Sequence, residues 1–262
     1  MISNIASSAA SRIAQFTPEI PIPGVPDVGE LLKRGASVVG GAIIDRALDG
    51  LGALGREATR QVRDQIADWA GQIKDQLAAL PSQAANALAD SMRGPNARTL
   101  TAGEQAAVRH AFGNSIDLSN VRIVDGPGRN PDAWTAFNVG GNPAITEGNT
   151  VYIGQNYSSD FSRSPEGIRT LVHEFTHVRQ FQQLGFGSFA ARYAGDLANA
   201  RGNRNEPYDY ASRTTAWRNE PLEGQAQMVG DYAMYKAGGG NLTTAQAASI
   251  ERRLAGTGIF GF

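Results

Sequence analysis

The chain contains no cysteine and only three histidines among its 262 residues. Without cysteine the fold cannot depend on disulfide bonds, so the protein can work in any redox compartment. Thiolate ligands are excluded as well, and any metal site must be built from histidine and carboxylate side chains.

Neither sign of charge dominates a large part of the sequence. The net charge is −1, with nine basic and ten acidic residues before residue 96 and fifteen of each from there on. Proteins that bind nucleic acid or anionic membranes carry a basic excess, so we expect neither partner. No apolar run reaches transmembrane length, and the N-terminus lacks the basic start and apolar core of a signal peptide. If the protein leaves its cell, we expect it to need a dedicated export machine.

Two of the three histidines lie four residues apart, in the stretch His173-Glu174-Phe175-Thr176-His177. Residues four apart share one face of a helix, so both imidazoles can reach one metal ion. Glu174 lies at the edge of that face, where it can hold a water on the metal. This H-E-x-x-H arrangement is found in zinc peptidases. The alternative is a helix whose two histidines only cap a core.

The surrounding pattern predicts a helix from about Pro165 to Leu184, with the motif in its middle. Ser164 is a hydroxyl cap, Pro165 suits the first helical position, and Gly185 is a natural stop. Apolar residues recur at helical spacing through the segment: Ile168, Leu171, Val172, Phe175, Val178 and Phe181. The metal site would therefore be partly buried.

A catalytic zinc site needs a third protein ligand and one position open for water. His110 lies far upstream and has no neighbouring ligand spacing, so we expect it at or near the surface. The remaining candidates are Glu220 and Glu223. Glu223 begins a predicted helix to about Lys236, and a carboxylate on a second helix suits the site. Glu220 would precede that helix as a cap or a solvated charge, so Glu223 is favoured while Glu220 stays open.

The stretch Leu171-Val-His-Glu-Phe-Thr-His-Val-Arg-Gln180, followed later by Glu223-Gly-Gln-Ala-Gln, resembles the gluzincin-type metallopeptidase domains of bacterial toxins and secreted effectors. The resemblance covers about Thr99 to Tyr232. It implies an α+β, zincin-like fold, with Zn2+ held by His173, His177 and Glu223 and with Glu174 as the catalytic base. It also implies a bacterial protein that acts on a protein substrate and is delivered by a secretion or injection apparatus.

The sequence departs from this family at Gln227. Many gluzincins have an aspartate four residues after the ligand glutamate, where it orients the first histidine. Gln227 stands there, and Asp231, one turn further along, is a candidate substitute. Tyr208 and Tyr210, in a polar loop before the second metal helix, are candidates for a phenol that stabilises the oxyanion. Tyrosines often only cover a core, which is the competing role for both.

Glycine and proline in Arg93-Gly94-Pro95-Asn96 predict a domain boundary. Residues 1–95 are predicted to be helical, after a proline-rich linker, and to serve delivery, partner contact or autoinhibition. Their clearest helix, Val62–Leu80, has an apolar stripe that another helix or a partner must cover.

Residues 96–262 are predicted to form the zincin-like metallopeptidase domain. Besides the two metal helices we predict helices at Thr101–Gly113, Ser188–Ala200 and Thr244–Leu254, and strands at Leu118–Val124, Trp134–Val139 and Thr150–Gly154. The last strand before the metal helix would either border the cleft and pair with an extended substrate, or be an ordinary strand of the sheet.

These features favour a zinc-dependent peptidase. The alternative, from another class, is a binding or delivery module whose zinc site is structural or vestigial. The two hypotheses differ at Glu174, because a peptidase needs this base and a structural site does not.

Overall fold

The computed structural model describes residues 74–75, 78–154, 159–201, 203 and 205–262. These residues form a mixed fold of helices and one four-stranded sheet, so the predicted α+β class is confirmed. The proline-rich linker, the helices before Gly55 and most of Val62–Leu80 lie outside the described residues. The division at residue 95 and the role of residues 1–95 therefore stay predictions.

Most of the described secondary-structure elements are helices. The longer helices are α1 (Ser82–Ser91), α2 (Ala102–Phe112), α3 (Pro131–Thr135), α4 (Pro165–Asn199), α5 (Leu222–Lys236) and α6 (Thr244–Leu254). The strands are β1 (Ala97–Arg98), β2 (Arg122–Asp125), β3 (Ala144–Glu147) and β4 (Thr150–Ile153). A π-helical turn follows α3 at Ala136–Gly140, and 3-10 turns occupy Phe161–Arg163, Glu206–Tyr208, Tyr210–Ser212, Trp217–Asn219 and Ile259–Gly261.

The strand order in the sheet is β1-β2-β4-β3. A tight turn at Gly148 and Asn149 joins β3 to β4, and Gly148 has a φ of 59°, which favours glycine. β4 is thus hydrogen-bonded on both sides, and the predicted strand Thr150–Gly154 is an ordinary interior strand. The two edges of the sheet are β1 and β3, strands that the sequence pattern did not predict.

The strand predicted at Trp134–Val139 is wrong, because these residues belong to α3 and the π-helical turn. Asn130 caps α3: its side-chain oxygen accepts hydrogen bonds from the backbone N–H groups of Asp132 and Ala133. Pro131 then occupies the first turn, where its fixed φ favours a helix. This start signal outweighs the β-propensity of tryptophan, phenylalanine and valine.

The chain divides into two compact units, and each takes residues from all four strands. The first unit comprises Met1–Ala97, Val124–Ile145 and Tyr152–Gln155. One cluster of its core consists of Val124, Ala133 and Tyr152, with Ala97, Phe137 and Ile145 packed against them. The second unit comprises Arg98–Ile123, Thr146–Val151 and Asn156–Phe262, and it contains every candidate metal ligand.

The long helix α4 dominates the second unit. It begins as predicted, with the Ser164 hydroxyl accepting a hydrogen bond from the backbone N–H of Gly167 and with Pro165 in the first turn. Gly185 interrupts it with a φ of 72° and a ψ of 167°, so the helices predicted on either side of this glycine are both confirmed. α5 packs so closely on α4 that a Cβ added at Gly230 would lie 2.9 Å from the carbonyl oxygen of Arg169.

Candidate metal centre

Three side chains from α4 and α5 converge on one point. His173 and His177 project from neighbouring turns of α4, and their Nε2 atoms lie 3.4 and 3.1 Å from Oε2 of Glu223 on α5. One ligand atom from each residue lies within 4.8 Å of the other two. Among the residues that the structure describes, these three form the group able to hold a metal ion. Two imidazoles and one carboxylate are a donor set of catalytic zinc sites, so the residues fit the predicted metal.

Glu223 reaches the histidines because it lies in the first turn of α5. Pro221 precedes this helix, and the side chain of Asp196 accepts a hydrogen bond of 2.9 Å from the backbone N–H of Leu222. Asp196 belongs to the part of α4 beyond Gly185, so the far end of the first metal helix fixes the start of the second. The carboxylate capping this N-terminus also complements the helix dipole.

The charges of the cluster are strongly coupled. Burial alone would lower the pKa of His177, but the neighbouring carboxylate of Glu223 outweighs it and raises this pKa to about 9. Burial would raise the pKa of Glu223, but the positive charge of His177 and hydrogen bonds from both histidines hold it well below its usual range. The cluster is therefore a buried ion pair whose imidazole proton a metal cation can replace.

Glu174 faces the same site without belonging to the ligand group. Its side chain is 6 % exposed, and its Oε2 accepts a hydrogen bond of 2.7 Å from the Thr146 hydroxyl on β3. Its negative charge contributes to raising the pKa values of both His177 and Tyr208, which indicates that the carboxylate lies near them. Sequence reasoning missed Thr146 because it missed β3, and no local signal around Thr146 would have revealed the contact.

The two candidate tyrosines have different environments. The ring of Tyr208 lies parallel to that of His173, with centroids 6.4 Å apart, and its phenol is near enough to Glu223 to interact with that charge. Burial and then the charge of Glu223 raise the pKa of Tyr208 far above its ordinary value, so its phenol stays protonated. The Tyr210 hydroxyl instead donates a hydrogen bond of 3.0 Å to Asp231. The structure thus brings Tyr208 to the ligand cluster and commits the Tyr210 hydroxyl elsewhere.

Glu220, the alternative third ligand, lies in a separate cluster of charges. It is fully buried, and its Oε1 accepts hydrogen bonds of 2.9 and 2.6 Å from Nε and Nη2 of Arg213. Its Oε2 accepts one of 2.5 Å from Arg253 on α6 and another from the Thr215 hydroxyl. Because both oxygens are engaged in this way, the structure brings Glu223 and not Glu220 to the histidines.

The candidate partner of His173 is also engaged elsewhere. Asp231 accepts hydrogen bonds from Arg169, Tyr210 and Gln227, so neither it nor Gln227 takes the place of the gluzincin aspartate. His110 lies exposed on α2, with its ring edge against Phe260, as expected for a surface histidine.

Comparison with known families gives one match. Residues 99–185 match the model of the eCIS core domain, a domain of extracellular contractile injection systems. The matched segment includes both histidines and Glu174 but ends before Glu223. No curated protein and no solved structure matched the chain. Within the described part of the chain, no helix is both long and apolar enough to cross a membrane. Over its matched segment the chain is therefore similar to injection-system proteins, and this fits the predicted context of secretion or injection.

Proposed function

We propose that the protein is a zinc-dependent peptidase with a zincin-like catalytic unit, acting on a protein substrate as a bacterial toxin or effector of a contractile injection system. The observation that carries this proposal is the convergence of His173, His177 and Glu223, with Glu174 buried beside them. The family match supports the proposed role in an injection system. The proposed peptidase chemistry is supported by the arrangement of the site residues.

In this proposal His173, His177 and Glu223 hold Zn2+. Bound zinc supplies a Lewis acid that polarises a carbonyl group and lowers the pKa of water from about 15.7 toward about 7. Glu174 takes a proton from the attacking water and passes it to the leaving amine. The Thr146 hydroxyl holds Oε2 of Glu174, which orients the carboxylate for both transfers.

Tyr208 provides a donor for the charge that develops on the substrate carbonyl oxygen. Its hydroxyl lies at the ligand cluster, and its raised pKa keeps the proton in place. A fixed donor near a developing oxyanion is a frequent source of rate enhancement. β3 provides the matching surface for an extended peptide, because it is an edge strand and carries Thr146 beside the base.

The family match also favours one alternative, a binding or delivery module of an injection system whose zinc site is structural. Such a module would need the three ligands but would have no use for a buried, hydrogen-bonded base. The environment of Glu174 therefore favours the peptidase.

The test compares the wild-type protein with Glu174→Gln. Elemental analysis of both proteins should find about one zinc per chain, as expected for one three-ligand site. New N-termini generated in a bacterial or eukaryotic cell extract are then identified by mass spectrometry. We expect cleavage sites that appear with the wild-type protein and weaken at least about tenfold with Glu174→Gln, since loss of a general base costs about 10²–10⁴ in rate. Zinc binding with no cleavage that depends on Glu174 would favour the structural module.

A further inference from the structure

We infer that Gln180 is a positioning residue for the metal site, because its side-chain oxygen fixes the imidazole of His177 in the form that presents Nε2 to a cation. This inference rests on the proposed zinc site. Gln180 lies three residues after His177 on α4 and is 4 % exposed. Its Oε1 lies 2.8 Å from Nδ1 of His177, on the opposite side of the ring from Glu223.

The direction of this hydrogen bond is set by the other end of the Gln180 side chain. Its amide nitrogen donates to the backbone carbonyl of Leu222 at 3.1 Å and to Oε1 of Gln225 at 2.9 Å. Both amide hydrogens are therefore used, and the carbonyl oxygen must face His177. An acceptor at this position requires a hydrogen on Nδ1, so in the neutral imidazole the lone pair lies on Nε2.

Gln225 fixes Gln180 in turn. Gln225 is 3 % exposed, and its oxygen accepts from Gln180, so its own amide nitrogen points away, donating to the backbone carbonyls of Trp217 and Glu220 at 2.7 and 3.2 Å. A chain of hydrogen bonds thus runs from the loop before α5, through two buried amides, to the His177 ring. Reversal of either amide would bring acceptor against acceptor and leave buried donors unpaired, which is costly.

The same chain of hydrogen bonds joins the two helices that carry the metal ligands. Gln180 belongs to α4, whereas Leu222 and Gln225 flank Glu223 on α5. One side chain therefore sets the tautomer of His177 and also ties its helix to the start of the helix that supplies the carboxylate. Partners of this kind behind a metal-bound histidine typically change metal affinity by 10- to 100-fold.

The experiment measures zinc affinity by competition with a chelator. Gln180→Met removes the amide at similar volume, and Gln225→Met removes only the oxygen to which that amide donates. Gln183→Met is the control, because Gln183 is exposed on the same helix. We expect a weakening of about 10- to 100-fold for Gln180→Met, a smaller weakening for Gln225→Met, and no change for Gln183→Met.

A spectroscopic measurement on the zinc-loaded wild-type protein decides the question even where Gln180→Met fails to fold. Nitrogen-15 imidazole spectra should show a slowly exchanging hydrogen on Nδ1 of His177, and in Gln225→Met this signal should shift or exchange faster. A hydrogen on Nε2, or an unchanged zinc Kd in folded Gln180→Met, would overturn the inference while leaving the zinc site intact. A wild-type protein that binds no zinc would refute the proposed function itself, and the inference with it.

Discussion

Replacement of Gly230 by alanine tests the closest approach between the two metal helices. The added methyl group would lie 2.9 Å from the carbonyl oxygen of Arg169 and 3.2 Å from Cβ of His173. A backbone carbonyl cannot rotate away as a side chain can, so α4 and α5 must separate. Overpacking of this kind costs about 1–3 kcal/mol, against about 1 kcal/mol gained from the helix propensity of alanine. We expect a net loss of up to about 2 kcal/mol in the free energy of unfolding.

Gly195 provides a matched control on α4. A methyl group there would meet no described atom within 4 Å, and the residue is exposed. Gly195→Ala should therefore gain the propensity term alone, about 0.5–1 kcal/mol. Urea unfolding of the two variants and the wild-type protein measures the difference. If Gly230→Ala is as stable as Gly195→Ala, the helices are not in the contact that we describe.

The same substitution should weaken zinc binding. Separation of the helices moves His173 away from Glu223, and Nε2 of His173 now lies 3.4 Å from Oε2 of Glu223. A metal site tolerates deviations of only about 0.2 Å in its metal–ligand distances. Gly195→Ala should leave zinc affinity unchanged. Loss of stability in Gly230→Ala with unchanged zinc affinity would show that the metal site adapts to the spacing of its helices.

Four further outcomes follow from the charges and hydrogen bonds of the second unit. Glu220→Gln removes the charge of a buried carboxylate between two half-buried arginines and should lower the free energy of unfolding in urea by up to about 3–5 kcal/mol, since Arg253 loses its carboxylate and Arg213 keeps only Glu206. Zinc affinity measured by calorimetry should rise by up to about tenfold per pH unit toward pH 9 and level off above it, because zinc displaces the proton of His177. In the zinc-free protein the raised pKa of His177 contributes stability below about 6.5 that is lost as the pH rises through about 9, so its urea midpoint should fall over that interval. Thr146→Val should reduce cleavage by about tenfold or more without changing zinc affinity, while Thr146→Ser keeps the donor to Glu174 and the activity; equal rates for both would remove Thr146 from the mechanism.

Signals that lie close together in sequence predicted the local structure around the candidate site. The cap at Ser164, the break at Gly185 and the position of Glu223 in the first turn of its helix depend on a few neighbouring residues, and the structure has all three where they were expected. The preference for Glu223 over Glu220 followed from helix placement and motif context. The structure adds the reason, which is that Glu220 faces arginines and not histidines.

The contacts that were missed join residues far apart in the chain. Thr146 meets Glu174 across 28 positions, and Arg253 meets Glu220 across 33. No periodicity or spacing encodes such pairs, since they depend on how strands and helices pack. The strand predicted at Trp134–Val139 is wrong for a different reason: the helix start at Asn130 and Pro131 is a local signal, and it determines the structure of the residues that follow.

The position of Arg253 on α6, after both metal helices in the chain, affects the order in which the site can be completed. During synthesis α4, Arg213 and α5 emerge before α6, so Glu220 can meet Arg213 before its second cation is available. The guanidinium of Arg253 also donates to the backbone carbonyl of Tyr210, so α6 holds the loop that carries Tyr208. We therefore expect the site to mature only after α6 has left the ribosome. A chain truncated before Arg253 would present both histidines and the carboxylate of Glu223 yet hold zinc poorly, so metal loading would report on the presence of α6.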